Sequence, residues 1–161
     1  MTISAGALLT GTWTATALKN EGNAPGVGDH YTGPDGKIYK FVQYDTGAGP
    51  VAAVANQMAY YYAPSGASAG ATTVVTSDLS DSAGLGAGML LSAPADGEYC
   101  WIQIKGPATL ALALTAGADG NALTAVGSTD GALDVSALVT DSIVAYAVDA
   151  SAKIVMLDCP W

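Results

Sequence analysis

Four Asp-Gly dipeptides punctuate this chain, at Asp35-Gly36, Asp96-Gly97, Asp119-Gly120 and Asp130-Gly131, and a strand-like run follows each. Asp-Gly is the strongest short hairpin signal, because the favoured tight turn needs positive φ at positions that Asp tolerates and Gly adopts freely. A chain that reverses this often has little room for long helices. Between the turns stand runs rich in β-branched and aromatic residues, at 37–44, 58–62, 72–76, 142–148 and 153–159. Residues 107–115 alternate strictly, with Leu110, Leu112 and Leu114 on one parity, and that period also predicts a strand. Residues 122–126 read as a short hairpin-like segment. Strands at short intervals without a helical period predict an all-β fold, a compact β-sandwich or β-barrel-like domain.

The remaining segments are read more locally. Pro50 suits the first position of a helix, so 51–57 is expected to make a single helical turn. Residues 78–88 end in Gly84-Leu85-Gly86-Ala87-Gly88 and read as a turn region, with a strand beginning at Met89. Residues 1–35 show no sustained period and include the loop-like stretch 20–28. They are expected to form an extended N-terminal arm on a β-rich domain of residues 36–161.

The stretch 96–106 carries the most information about contacts. As a strand it places Cys100, Ile102 and Ile104 on one face, a dry surface suited to a core. The other face carries Tyr99, Trp101, Gln103 and Lys105. An aromatic yet amphipathic face suits a contact with another subunit, or a loop of the same chain that covers it. Trp13 poses the same choice, because an indole is costly to leave in water. Docking on a neighbouring subunit is the expectation favoured here.

Composition narrows the function. Half of the residues are hydrophobic and mean hydropathy is +0.34, while only 12% are charged against about 25% in a typical soluble domain. No apolar run approaches the roughly 20 residues that span a bilayer, so no membrane partner is expected. The surplus apolar surface is expected to lie against other protein. Fourteen acidic residues against five lysines give a net charge of −9, and there is no arginine. Phosphate neutralisation needs a basic patch, so nucleic-acid binding is not expected. Residues 1–19 lack a basic cluster ahead of an apolar core and do not read as a secretory signal. Cys100 and Cys159 sit in apolar strand-like runs and read as buried free thiols.

Catalytic chemistry finds little support. His30, the one histidine, stands in a Gly-rich loop and cannot build a histidine metal cluster alone. Gly66-Ala67-Ser68-Ala69-Gly70 matches the nucleophile-elbow pattern, yet no histidine follows Ser68 and a strand follows where a helix is required. Asp78 with Asp81, and Asp119 with Asn121, offer oxygens to calcium without EF-hand spacing, and turn chemistry explains the same residues. The chain is read as a non-enzyme, with no cofactor and no metal ligand assigned.

Four segments resemble the head decoration, or cement, proteins of tailed bacteriophages. They are Gly36-Lys37-Ile38-Tyr39-Lys40-Phe41-Val42-Gln43-Tyr44 with the small-residue stretch 47–55, Val74-Val75-Thr76-Ser77-Asp78-Leu79-Ser80-Asp81, the stretch 96–106, and 133–160 centred on Val144-Ala145-Tyr146-Ala147-Val148. The resemblance implies a β-rich homotrimer on the outer surface of an icosahedral phage head. It would be made in the bacterial host cytoplasm, sit over the major capsid protein and brace the shell. Under that reading the subunit or capsid contacts are Trp13 and Leu18 on the arm, Tyr99 and Trp101 on the aromatic face, and Trp161 at the tail. Deleting residues 1–19 would then abolish shell binding and leave a folded trimer. The alternatives are another virion or surface module, such as a tail component, or a carbohydrate-binding β domain in which Tyr60, Tyr61 and Tyr62 stack on sugars.

Overall fold

The computed structural model describes residues 9–20, 24–62 and 72–160. Its spine is strand β7 (Tyr99–Thr109), the stretch whose sequence alternates most clearly. Strands β3 (Ile38–Tyr44), β4 (Met58–Tyr62), β5 (Val74–Thr76) and β6 (Ser82–Leu90) form a closed circuit with it. The pairings run β3–β5, β5–β4, β4–β6, β6–β7 and back through β7–β3. Only β3–β5 is parallel among them. Closure removes the exposed edges that would otherwise pair with another chain.

Beyond the circuit, β11 (Ile154–Asp158) pairs with the second half of β7, and β10 (Ile143–Asp149), β8 (Ala122–Thr124) and β9 (Asp134–Val135) follow in order. At Tyr99 and Cys100, β7 is flanked by β3 on one edge and by the two-residue β1 (Thr12–Trp13) on the other. A short helix α1 (Ala15–Asn20) follows β1, and the edge strand β2 (His30–Thr32) pairs with β3. The described part of residues 1–35 therefore supplies two strands to the sheet. The all-β expectation holds, in a barrel-and-sandwich arrangement.

The main core lies on the face of β7 that carries Cys100, Ile102 and Ile104, together with Met58, Leu90 and Val144. Burying a side chain of this size contributes about 1.5–3 kcal/mol. Both cysteines are buried free thiols.

Several local expectations are corrected. Residues 84–88 lie within β6 rather than in a turn. Glycine is needed there for close approach: a Cβ at Gly88 would stand 2.6 Å from the Gln103 carbonyl oxygen, and one at Gly86 would stand 3.1 Å from Val144. β7 does not stop at Gly106-Pro107. Gly106 takes φ +100, and the Gln103 amide donates to the Gly106 and Pro107 carbonyls at 3.2 and 2.9 Å, which carries the strand across the irregularity. Residues 110–115 are not a strand. Leu110 is buried and Leu112 and Leu114 are half-buried, but the Leu110, Ala111 and Thr115 amides donate to the scattered carbonyls of Lys153, Asn56 and Leu133 instead of to one ladder. Residues 51–57 form no helix: the Val51 and Asn56 amides donate to Thr46 and Leu90, and a single tight turn closes with the Gln57 amide on the Val54 carbonyl.

Candidate interface

The residues expected to meet another subunit divide into a covered set and one outside the described residues. Trp101 on β7 stands opposite Phe41 on β3, with ring centroids 5.2 Å apart. Trp13, placed by β1, meets Phe41 edge to face, and Tyr99 stacks on Phe41 at 6.1 Å. Leu9, Leu18 and Tyr31 close the rim of this cluster. Trp13 is 7% exposed and Trp101 8%. The aromatic face is thus real, but the chain's own N-terminal segment covers it, and the expectation that Trp13 docks on a neighbouring subunit is corrected. Pairing of β1 with β7 brings Trp13 there, a register no local pattern in residues 1–20 announces. Deleting residues 1–19 would strip the cover from Phe41 and Trp101, so it would not leave the fold untouched. Trp161 lies outside the described residues, as does Ser68.

A different face is open. Tyr146 on β10 stands opposite Met156 on β11, which stands opposite Pro107 on β7. Side chains at paired positions share one face of a sheet. Tyr146, Val148 and Met156 are each about half exposed, while Val144, Ala147 and Val155 on the reverse face are buried. Lys105 and Asp158 flank the row with an exposed ion pair at 3.1 Å. Ile143 on β10 and Leu138 and Val139 in the preceding loop add further exposed apolar groups. Sequence reasoning missed this face. Its signal is that residues 143–148 are apolar on both parities, which an ordinary half-buried strand is not.

The chemically versatile side chains are spoken for structurally. Tyr60, Tyr61 and Tyr62 are buried or half-buried, which corrects the expectation of an exposed sugar-stacking row. Tyr60 donates to the Ala132 carbonyl, Tyr61 to the Pro160 carbonyl at 2.9 Å and Tyr62 to Asp45 at 2.7 Å. Burial raises the Tyr60 and Tyr62 phenols well above their usual value and Tyr61 to about 12. Lys40 is buried and reaches the Tyr61 hydroxyl at 3.1 Å, and desolvation lowers its pKa. His30 is an exposed residue of β2. Asp119 and Asn121 accept backbone N–H groups of Ala150 and Ala118, which is turn chemistry. Among the described residues no helix is long and apolar enough to cross a membrane.

Comparison of the chain with protein-family models, with curated proteins and with solved structures finds no match.

Proposed function

We propose that this chain is a capsid decoration, or cement, protein that forms a homotrimer on the outer surface of an icosahedral phage head and stabilises the shell of major capsid protein. The observation that carries the reading is the open apolar row of Tyr146, Val148 and Met156 on an otherwise well-packed β domain. A row of half-exposed apolar side chains on a chain this poor in charge favours a protein partner over water. Contacts repeated around a symmetry axis add as avidity, so a modest face suffices. A net charge of −9 disfavours direct contact with the packaged DNA and keeps the assembly outside it.

In this reading the β10–β11 face joins the copies. The Trp13–Phe41–Trp101 cluster acts within one copy, fixing the N-terminal segment on the barrel. The test is co-sedimentation of the purified chain with heads of the virus that encodes it. Saturable, stoichiometric pelleting with the shell is expected. A chain that stays in the supernatant with heads that lack it contradicts the reading.

A further inference from the structure

Most of the large apolar side chains left open among the described residues fall in one stretch of the chain, from Leu138 to Met156. They make two unlike shapes. Tyr146 and Met156 are neighbours across the β10–β11 ladder and form a flat row on a sheet. Leu138 and Val139 stand at the tip of the loop between β9 and β10, the first 65% exposed and the second wholly exposed. The tip is pinned by its own chain. The Asp141 carboxylate accepts from the Ala137 and Leu138 amides, both at 2.9 Å, and the Asp141 amide donates to the Leu138 carbonyl at 3.1 Å. Apolar side chains on a pre-shaped turn lose little freedom when they dock.

Charge differs between the two. No lysine lies between residues 106 and 152, so β8, β9, β10 and the loop carry no cation, while Asp134 and Asp141 make the tip side acidic. The row side holds two of the five lysines. Lys105 pairs with Asp158 in the open, and Lys153, just before β11, donates to the Ala111 carbonyl at 3.0 Å and makes no ion pair among the described residues. Asp119 and Asp149 share the turn before Lys153 and accept from the Ala150 and Ala152 amides. Copies of a chain at −9 repel one another, least where lysines stand. An acidic tip is therefore complementary to the lysine-flanked row.

A closed trimer does not join like to like. A two-fold contact uses one patch on both copies, whereas a three-fold ring is head to tail and needs two unlike patches on every copy. We infer that the Leu138–Val139 tip of one copy seats on the Tyr146–Met156 row of the next, with its acidic side toward Lys105 and Lys153. The inference rests on the homotrimer proposed above and supplies the second surface that a ring requires. It also sets a direction: each copy offers its tip to one neighbour and its row to the other.

The experiment is cross-linking between copies. Full chains carrying Val139→Cys and Met156→Cys are co-expressed and treated with a short bismaleimide; Cys100 and Cys159 are buried and do not compete. A product of two chain masses is expected from the pair and from neither variant alone. Val27→Cys paired with Met156→Cys should give none, since Val27 is exposed in the loop before β2. In sedimentation equilibrium, Leu138→Ser with Val139→Ser should weaken association at least roughly tenfold. Cross-linking of Met156→Cys alone would mean that the rows meet one another at the axis, and it overturns the arrangement. So does cross-linking of Val139→Cys alone, an equal product from the Val27 pair, no product from the Val139 pair, or an undiminished trimer in the serine variant. In those cases a parent that sediments as a trimer leaves the homotrimer standing. A monomeric parent overturns the homotrimer and this arrangement with it.

Discussion

Trp13 meets Phe41 edge to face, with ring centroids 5.3 Å apart and ring planes at 71°. The contact ties the segment before residue 36 to the outer face of the barrel. An aromatic pair of this geometry contributes about 0.5–1.5 kcal/mol beyond its buried area. A double-mutant cycle with Trp13→Leu and Phe41→Leu should therefore give a coupling of about 1 kcal/mol in urea unfolding. Strict additivity would mean the two rings do not meet in solution.

Gly88 sets the approach of β6 to β7. Its missing Cβ would collide with the Gln103 carbonyl at 2.6 Å, and backbone cannot yield as a flexible side chain does. Gly88→Ala should cost at least about 1–3 kcal/mol, the usual scale of overpacking. Thermal melting checks this, and a variant as stable as the parent would show that β6 lies further from β7.

Lys40 is a buried cation whose polar contacts are the Tyr61 hydroxyl and ring rather than a carboxylate. Keeping its charge out of water destabilises the fold at neutral pH. Lys40→Met should raise the urea midpoint, reflecting a gain in stability on the order of 1 kcal/mol. Tyr61 keeps its own bond to the Pro160 carbonyl. A lowered midpoint would show that the ammonium contributes net stability.

Alkaline pH should unfold the chain cooperatively. Burial lifts the Cys100 and Cys159 thiols from 9.0 to about 12, and the Tyr61 phenol from 10.0 to about 12. The folded state binds these protons more tightly than the unfolded state does. Their contribution is complete below pH 9 and is lost as the pH climbs through about 12. Ellman's reagent should label neither thiol near neutrality and both after the transition. Labelling of the native protein at neutral pH would contradict their burial.

The turns and most strands were legible from the sequence because Asp-Gly pairs and period-two runs are local signals. Cys100, Ile102 and Ile104 fall inward, and Trp101 outward, as alternation requires. What covers Trp101 was not legible, because it depends on β1 pairing with β7 across more than eighty residues. The Leu110–Leu114 alternation predicts a strand but makes none, since a ladder partner is a tertiary fact. Gly84, Gly86 and Gly88 look like a turn until the neighbouring backbone they accommodate is in view. The open row of Tyr146 and Met156 needed the β10–β11 register before its two members could be placed side by side.

Sedimentation equilibrium of the full chain, beside the double variant Tyr146→Lys with Met156→Lys, tests the central claim most directly. The parent is expected to sediment at three times its chain mass, and the variant as a single folded chain. A parent that stays monomeric, or a variant that still trimerises, would contradict the assignment of the β10–β11 face as the surface that joins the copies.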